Sequence, residues 1–246
     1  MRQQDSKEME PVLLDVPRFA QPDDVTCGPT CLTQAYRFLN CDMPLEEVIR
    51  DTKRNPDGGT MAVFLGLTAL SHGFQPAIYS YNLRVLDPTW QHLGPAELIY
   101  KLEQRSDFVT SKRRKTTIAA YVEYLKSGGE LRFDPLDRDL LVTLLRRGQP
   151  VLTGLSATYL YQTPRELNEQ YDDIRGEPAG HFVVVCGYYP KSDCFLVCDP
   201  SPHIPFSRSG KYSVASERLI TAILLGDVTY DAVLLTLGRR VKRASQ

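Results

Sequence analysis

The stretch Gln21-Pro22-Asp23-Asp24-Val25-Thr26-Cys27-Gly28-Pro29-Thr30-Cys31 constrains this chain more than any other. Behind it Leu32, Ala35, Tyr36 and Leu39 recur with helical spacing, which predicts a helix from about residue 28 to 39 with a thiol on its first turn. At that position the unpaired backbone N–H groups and the positive end of the helix dipole favour an anion, so the thiolate of Cys27 is stabilised relative to the thiol. Pro29 suits an early helical position because its missing N–H would have had no partner there. The stretch therefore reads as a seat for a reactive sulfur.

An activated thiol needs a base, and the base needs a group that orients it. Far downstream the chain reads Gly180-His181-Phe182-Val183-Val184-Val185-Cys186-Gly187-Tyr188-Tyr189, then Pro190-Lys191-Ser192-Asp193, then Cys194-Phe195-Leu196-Val197-Cys198-Asp199-Pro200. Two runs of β-branched and aromatic residues around a turn-forming tetrapeptide predict an antiparallel hairpin. His181 opens its first strand and Asp199 closes its second, so both fall at the open end, although the sequence does not fix the register.

In this order Gln21, Cys27, His181 and Asp199 resemble the papain-type cysteine peptidases and, more narrowly, the bacterial peptidase C39-like family. In that family a Gln shortly precedes Cys-Gly-Pro-[Thr/Ala/Ser]-Cys at a helix start, a Gly-His pair opens a strand and an Asp-Pro ends the next. The chain departs from papain itself, which has Cys-Gly-[Ser/Ala]-Cys-[Trp/Tyr] and a downstream Asn. The resemblance spans about residues 21–237 and is weakest in the middle.

It implies an α+β, papain-like, two-lobed fold: an N-terminal helical lobe of about 21–147 carrying the nucleophile helix, and a C-terminal antiparallel sheet lobe of about 148–238. The cleft between them would hold a peptide or peptide-like substrate. Cys27 is then the nucleophile, His181 the general base and acid, Asp199 the group that orients the imidazole, and Gln21 an oxyanion donor. Hydrolysis of the acyl-enzyme makes a peptidase. Attack by an amine makes a transpeptidase or acyltransferase with the same residues, and a non-catalytic peptide-binding module on the same fold is the third alternative.

With 246 residues, 42% hydrophobic, the chain can bury a substantial core, and its formal net charge of −1 makes no whole-chain case for nucleic acid or a membrane surface. No run approaches the roughly 20 apolar residues of a membrane span. The polar N-terminus lacks the apolar stretch of a secretory signal, so a cytoplasmic location with mostly reduced thiols is the expectation. No cofactor is implied.

In chain order, residues 1–10 are expected as a flexible tail, 11–238 as a single domain and 239–246 as a basic tail. A short strand at 12–17 is followed by the helix at 28–39 and one at 43–50. A helix at 61–71 has Thr60 as its cap, and a strand spans 74–81. Helices are expected at 96–105 and 117–126, joined by a loop through Ser111-Lys112-Arg113-Arg114-Lys115. A further helix starts at Asp137 or Asp139 and runs to about 147. Strands follow at 149–155 and 230–237, with a polar excursion at 163–178 before His181.

Several residues carry competing readings. Cys31, one turn beyond Cys27, reads as core packing. His203 is a rival base, but it lies in the proline-punctuated loop Ser201-Pro202-His203-Ile204-Pro205 and reads as a loop residue near the cleft. His72 and His92 have no such context. Cys41, Cys186, Cys194 and Cys198 do not make a zinc set, because positions four apart on a strand lie too far apart to share one ion. The run Lys112-Arg113-Arg114-Lys115 reads as a solvated loop, and a nucleic-acid role for it and the basic tail is the weakest alternative.

Overall fold

A computed structural model describes residues 10–56, 58–168, 170–226 and 232–238. The expected tails at 1–10 and 239–246 lie outside these residues apart from residue 10, as does the start of the late strand at 230–231.

The chain opens with β1 (Val12–Leu13), then α1 (Cys27–Phe38), α2 (Leu45–Asp51), α3 (Ala62–Ser71) and β2 (Pro76–Ser80). A 3-10 turn at Pro88–His92 leads to α4 (Pro95–Phe108), α5 (Lys112–Lys126), β3 (Glu130–Arg132) and α6 (Arg138–Arg146). The second half contains β4 (Val151–Ser156), α7 (Ala157–Tyr161), β5 (Glu166–Leu167), β6 (Gln170–Tyr171), β7 (Gly180–Tyr189) and β8 (Cys194–Cys198). It closes with β9 (Lys211–Ala215), α8 (Ser216–Leu224) and β10 (Val233–Leu237).

The result is the expected α+β class, built on one sheet of order β3-β2-β10-β4-β7-β8-β9, with β1 beside β7. All pairings in this sheet are antiparallel except β2 with β3. The first half of the chain thus supplies β2 and β3 to the same sheet that carries His181. Period-2 alternation sends the two sides of β7 into different cores. Phe182, Val184 and Cys186 pack with Cys31 and Leu32 of α1, Phe64 and Leu65 of α3, and Tyr121 and Tyr124 of α5. Val183 and Val185 pack with Leu141 and Leu145 of α6, Leu160 of α7, and Leu219 and Ile223 of α8. Helices therefore cover both faces.

Helix ends explain the departures from the expected boundaries. Residues 112–115 are not a loop but the first turn of α5, because the Ser111 hydroxyl caps the Arg114 N–H at 3.4 Å and the burial of Tyr121 and Tyr124 anchors the helix body. Thr60 does not cap α3; its hydroxyl donates to the Lys53 carbonyl at 2.9 Å, and Met61 holds the cap position. Asp137, rather than Asp139, starts α6, its carboxylate accepting the Leu140 N–H at 2.7 Å. The excursion at 163–178 contains the small β5–β6 ladder. Strand β9, α7 and α8 were not expected at all. Among the described residues, no helix is long and apolar enough to cross a membrane.

Candidate active site

Cys27 is the first residue of α1, where the chain turns into the helix after Thr26. The turn is closed by Thr30, whose N–H donates to the Thr26 carbonyl at 3.0 Å and whose hydroxyl donates to the same oxygen at 2.8 Å. The far end of α1 is stopped by Asn40 in the left-handed region at φ 59°, a conformation Asn tolerates. Gly28 is required by close packing, since a Cβ there would stand within 3.3 Å of the Leu65 side chain and overlap that of Thr60. The helix start is thereby fixed against α3, and Cys27 itself is half-buried at the surface of this contact.

The β7–β8 hairpin forms as its two β-branched runs require, with Val184 opposite Cys198 and Val185 opposite Val197, and a bulge at Cys186. This register brings His181 and Asp199 together at the open end: His181 Nε2 lies 2.8 Å from Asp199 Oδ1. The ring's other nitrogen, Nδ1, is left for Cys27, whose sulfur hydrogen-bonds the imidazole. Sulfur, imidazole and carboxylate thus form a continuous chain contributed by α1, β7 and the end of β8.

The electrostatics follow from this contact. Burial alone would raise the Cys27 pKa, but the hydrogen bond to His181, its positive charge and the backbone N–H groups of Phe182 and Gly28 carry it below its ordinary 9.0. For His181, burial alone would lower the pKa, and the charge and hydrogen bond of Asp199, with the Cys27 sulfur, instead raise it to about 10. Asp199 is held below the usual carboxylate range: burial opposes this, and the His181 charge and the donors around the carboxylate outweigh it. The contact therefore favours the thiolate–imidazolium form of the pair over the neutral one.

Asp199 is fully buried, and among the described residues its carboxylate accepts four hydrogen bonds. Oδ1 takes His181 Nε2 and the Ser201 N–H at 2.9 Å, while Oδ2 takes the phenol of Tyr161 at 2.8 Å and that of Tyr212 at 2.6 Å. Neither tyrosine was anticipated from the sequence. The alternation of Lys211-Tyr212-Ser213-Val214-Ala215 is a signal that would have put Tyr212 on a strand, without saying which neighbour that strand pairs with. Tyr161 ends a five-residue helix that leaves no comparable periodicity.

Gln21 sits beside the same turn. Its backbone N–H donates to the Pro200 carbonyl at 2.9 Å, and its side-chain Nε2 donates to the Asp23 carbonyl at 2.8 Å. Its Oε1 is buried without a hydrogen-bond partner among the described residues. Arg18 adds two further ties, from Nε to the Asp199 carbonyl at 3.3 Å and from its guanidinium to the Ser201 carbonyl at 2.9 Å.

The other weighed residues stand apart from this chain. The Cys31 thiol is fully buried and donates to the Phe182 carbonyl at 3.2 Å, as its reading as core packing requires, and burial drives its pKa well up. His203 is exposed in the loop after Asp199, where its N–H donates to the Ser201 hydroxyl at 3.1 Å. His72 lies between Tyr36 and Asp51, with 3.1 Å to the phenol and 3.0 Å to the carboxylate. Cys198 donates to the Gln34 side-chain oxygen at 3.0 Å. Among the described residues no three His, Cys, Asp or Glu side chains converge as a metal site would require.

An imidazolium between a thiolate and a buried carboxylate is an arrangement that can add sulfur to a carbonyl carbon and return a proton to the leaving group. Residues 13–214 match the model of the Peptidase_C39 like family. Solved structures with similar backbones include a candidate C39-like peptidase from Bacillus anthracis, at 15% identity, covering 96% of this chain and 100% of that one with a TM-score of 0.47. A double glycine motif protease from an AMS/PCAT transporter, in complex with the leader peptide, matches at 15% identity over 94% of this chain and 98% of that one, with a TM-score of 0.44. The peptidase domain of Streptococcus ComA, a bi-functional ABC transporter of a quorum sensing pathway, matches at 12% identity over 91% and 98%, also at 0.44. No curated protein matches the chain.

Proposed function

We propose, since the chain belongs to the peptidase C39-like family, that it is a cysteine peptidase cleaving a peptide or amide bond through a thioester on Cys27. The observation that carries this reading is the imidazole of His181, bonded on one side to the Cys27 sulfur and on the other to Asp199 Oδ1 at 2.8 Å.

In this mechanism the resting thiolate attacks the substrate carbonyl carbon. The oxygen that becomes negative is received by the Cys27 backbone N–H and by the second amide hydrogen of Gln21, the first being engaged with Asp23. Collapse of the tetrahedral adduct expels the amine, which takes its proton from the His181 imidazolium. His181, now neutral, accepts a proton from the water that attacks the thioester, and the acid leaves as the thiolate–imidazolium pair is restored. Asp199 keeps the ring oriented and compensates its charge throughout.

The test is intact-mass trapping. Wild-type protein and Cys27→Ala are incubated with a peptide pool and quenched in acid. A mass increase on the wild type, mapped to Cys27 and absent from the variant, supports the reading, and the mass added identifies the acyl group. Absence of any adduct, together with alkylation of Cys27 no faster than that of an ordinary thiol near neutral pH, would overturn it and leave a peptide-binding module. Product analysis with an added amine separates hydrolysis from acyl transfer.

A further inference from the structure

We propose that Tyr161 and Tyr212 are positioning residues, two phenols from separate elements that clamp one oxygen of Asp199 so that its other oxygen is presented to His181. The inference rests on the catalytic reading above.

A carboxylate has two equivalent oxygens and turns readily about its last torsion. One imidazole bonded to one oxygen does not prevent that turn. Here the second oxygen is pinned from two sides, by Tyr161 at the end of α7 at 2.8 Å and by Tyr212 on β9 at 2.6 Å. The phenols are themselves held, because Phe206 packs edge-on to both rings, 5.9 Å from Tyr161 and 4.9 Å from Tyr212. With the Ser201 N–H on Oδ1, the carboxylate's plane is set by donors from α7, β9 and its own loop, and the direction left for Oδ1 is the one His181 occupies.

The choice of phenols matters electrostatically. A lysine or arginine on Oδ2 would cancel the charge that His181 needs, whereas a neutral O–H orients the anion and leaves the charge available. Burial and the neighbouring carboxylate push both phenols well above their ordinary range, so they remain donors at any working pH. The other groups facing Asp199 do not compete for Oδ2. Arg18 binds backbone carbonyls of Asp199 and Ser201, and Cys198 and Cys31 are thiols that burial first, and the carboxylate second or later, keep protonated. Cys27 lies beyond the imidazole.

The experiment follows iodoacetamide alkylation of Cys27 across pH by intact mass in wild type, Tyr161→Phe, Tyr212→Phe and the double variant. It is paired with kcat and KM on any peptide that acylates the wild type. Phenylalanine keeps the rings against Phe206 and removes only the donors. With Oδ2 released, the carboxylate turns away, the imidazolium loses its oriented counter-charge and the thiolate loses its partner. The alkylation midpoint should therefore move up in each single variant and further in the double. For each single variant kcat should fall about tenfold with KM within about twofold, as for loss of one hydrogen bond to a charged group. Unchanged midpoint and kcat in a double variant that melts normally, or a midpoint moving down, would overturn the clamp. If the double variant does not fold, Tyr161→3-fluorotyrosine decides. Its stronger donor should lower the midpoint, and no change refutes the proposal.

Failure of the peptidase reading has a different signature, namely a wild-type Cys27 no more reactive than a free thiol. The clamp is then judged by the His181 titration followed by NMR, where loss of the phenols should lower the imidazole pKa and an unmoved value refutes it.

Discussion

His181 Nε2 lies 2.8 Å from Asp199 Oδ1 across 18 residues of sequence, and the carboxylate is fully buried. Pairing across β7 and β8 imposes this neighbourhood, so the charge partnership is as secure as the hairpin. Replacing Asp199 with Asn should therefore do two things. The uncompensated imidazolium and the misfit of an amide NH2 among donors should destabilise the fold by roughly 3–5 kcal/mol, as when one partner of a buried pair is removed. Peptide turnover should fall by about two orders of magnitude or more, because the ring loses its orientation. Chemical denaturation and acyl-enzyme formation rates measure the two effects separately.

The Cys27–His181 pair sets a pH plateau in stability. His181 is raised from 6.5 to about 10, so its contribution is complete below 6.5 and is lost as pH rises through about 10. Cys27 is lowered from 9.0, so its contribution is complete above 9.0 and is lost as pH falls through its folded value. Between 6.5 and 9.0 the share of His181 declines with pH while that of Cys27 grows, so the two oppose each other and the contribution should change least there. It should fall away on both sides. Thermal unfolding from pH 5 to 10.5 tests this. In Cys27→Ser the sulfur's share disappears, and the curve should slope downward from about pH 6.5 instead.

Gln21→Ala should lower kcat by about 10²–10³-fold with little change in KM, the loss expected for one oxyanion donor. Pre-steady-state acylation measures it directly. An unchanged acylation rate would confine Gln21 to a structural part in its loop.

Tyr124→Phe should destabilise the protein without touching peptide turnover. The phenol is fully buried beneath α5 and reaches the carbonyls of Pro76 and Glu130 at 2.8 and 3.0 Å, bridging the start of β2 and the parallel strand β3. Leaving those carbonyls without it should cost about 1–3 kcal/mol, read by urea unfolding.

Much of this was legible along the chain, and the reasons differ by element. Helix α1 and the β7–β8 hairpin were readable because each carries its own periodicity and a local signal, Cys27-Gly28-Pro29 at the start of one and Pro190-Lys191-Ser192-Asp193 at the turn of the other. The pairing of His181 with Asp199 followed from the hairpin alone. The first turn of α5 was misread because four consecutive basic residues look like loop, while the tyrosines that bury the helix lie two turns further on. Strand β3 was missed because it is three residues long and exists through its parallel pairing with β2, a partner remote in sequence. The same holds for Tyr161 and Tyr212. Their roles arise only where α7 and β9 converge on one carboxylate, and no local pattern announces a convergence of that kind.

Arg18 and Gln21 are sewn to the Asp199–Ser201 turn by three backbone-directed bonds, and the seam is closed by Gly210, whose φ of 74° disfavours a side chain and where an added Cβ would stand 3.0 Å from the Asp199 carbonyl and overlap the Arg18 side chain. The segment entering the helix of Cys27 and the bend bearing Asp199 therefore share one selvedge. Loosening there would displace the sulfur and the carboxylate together.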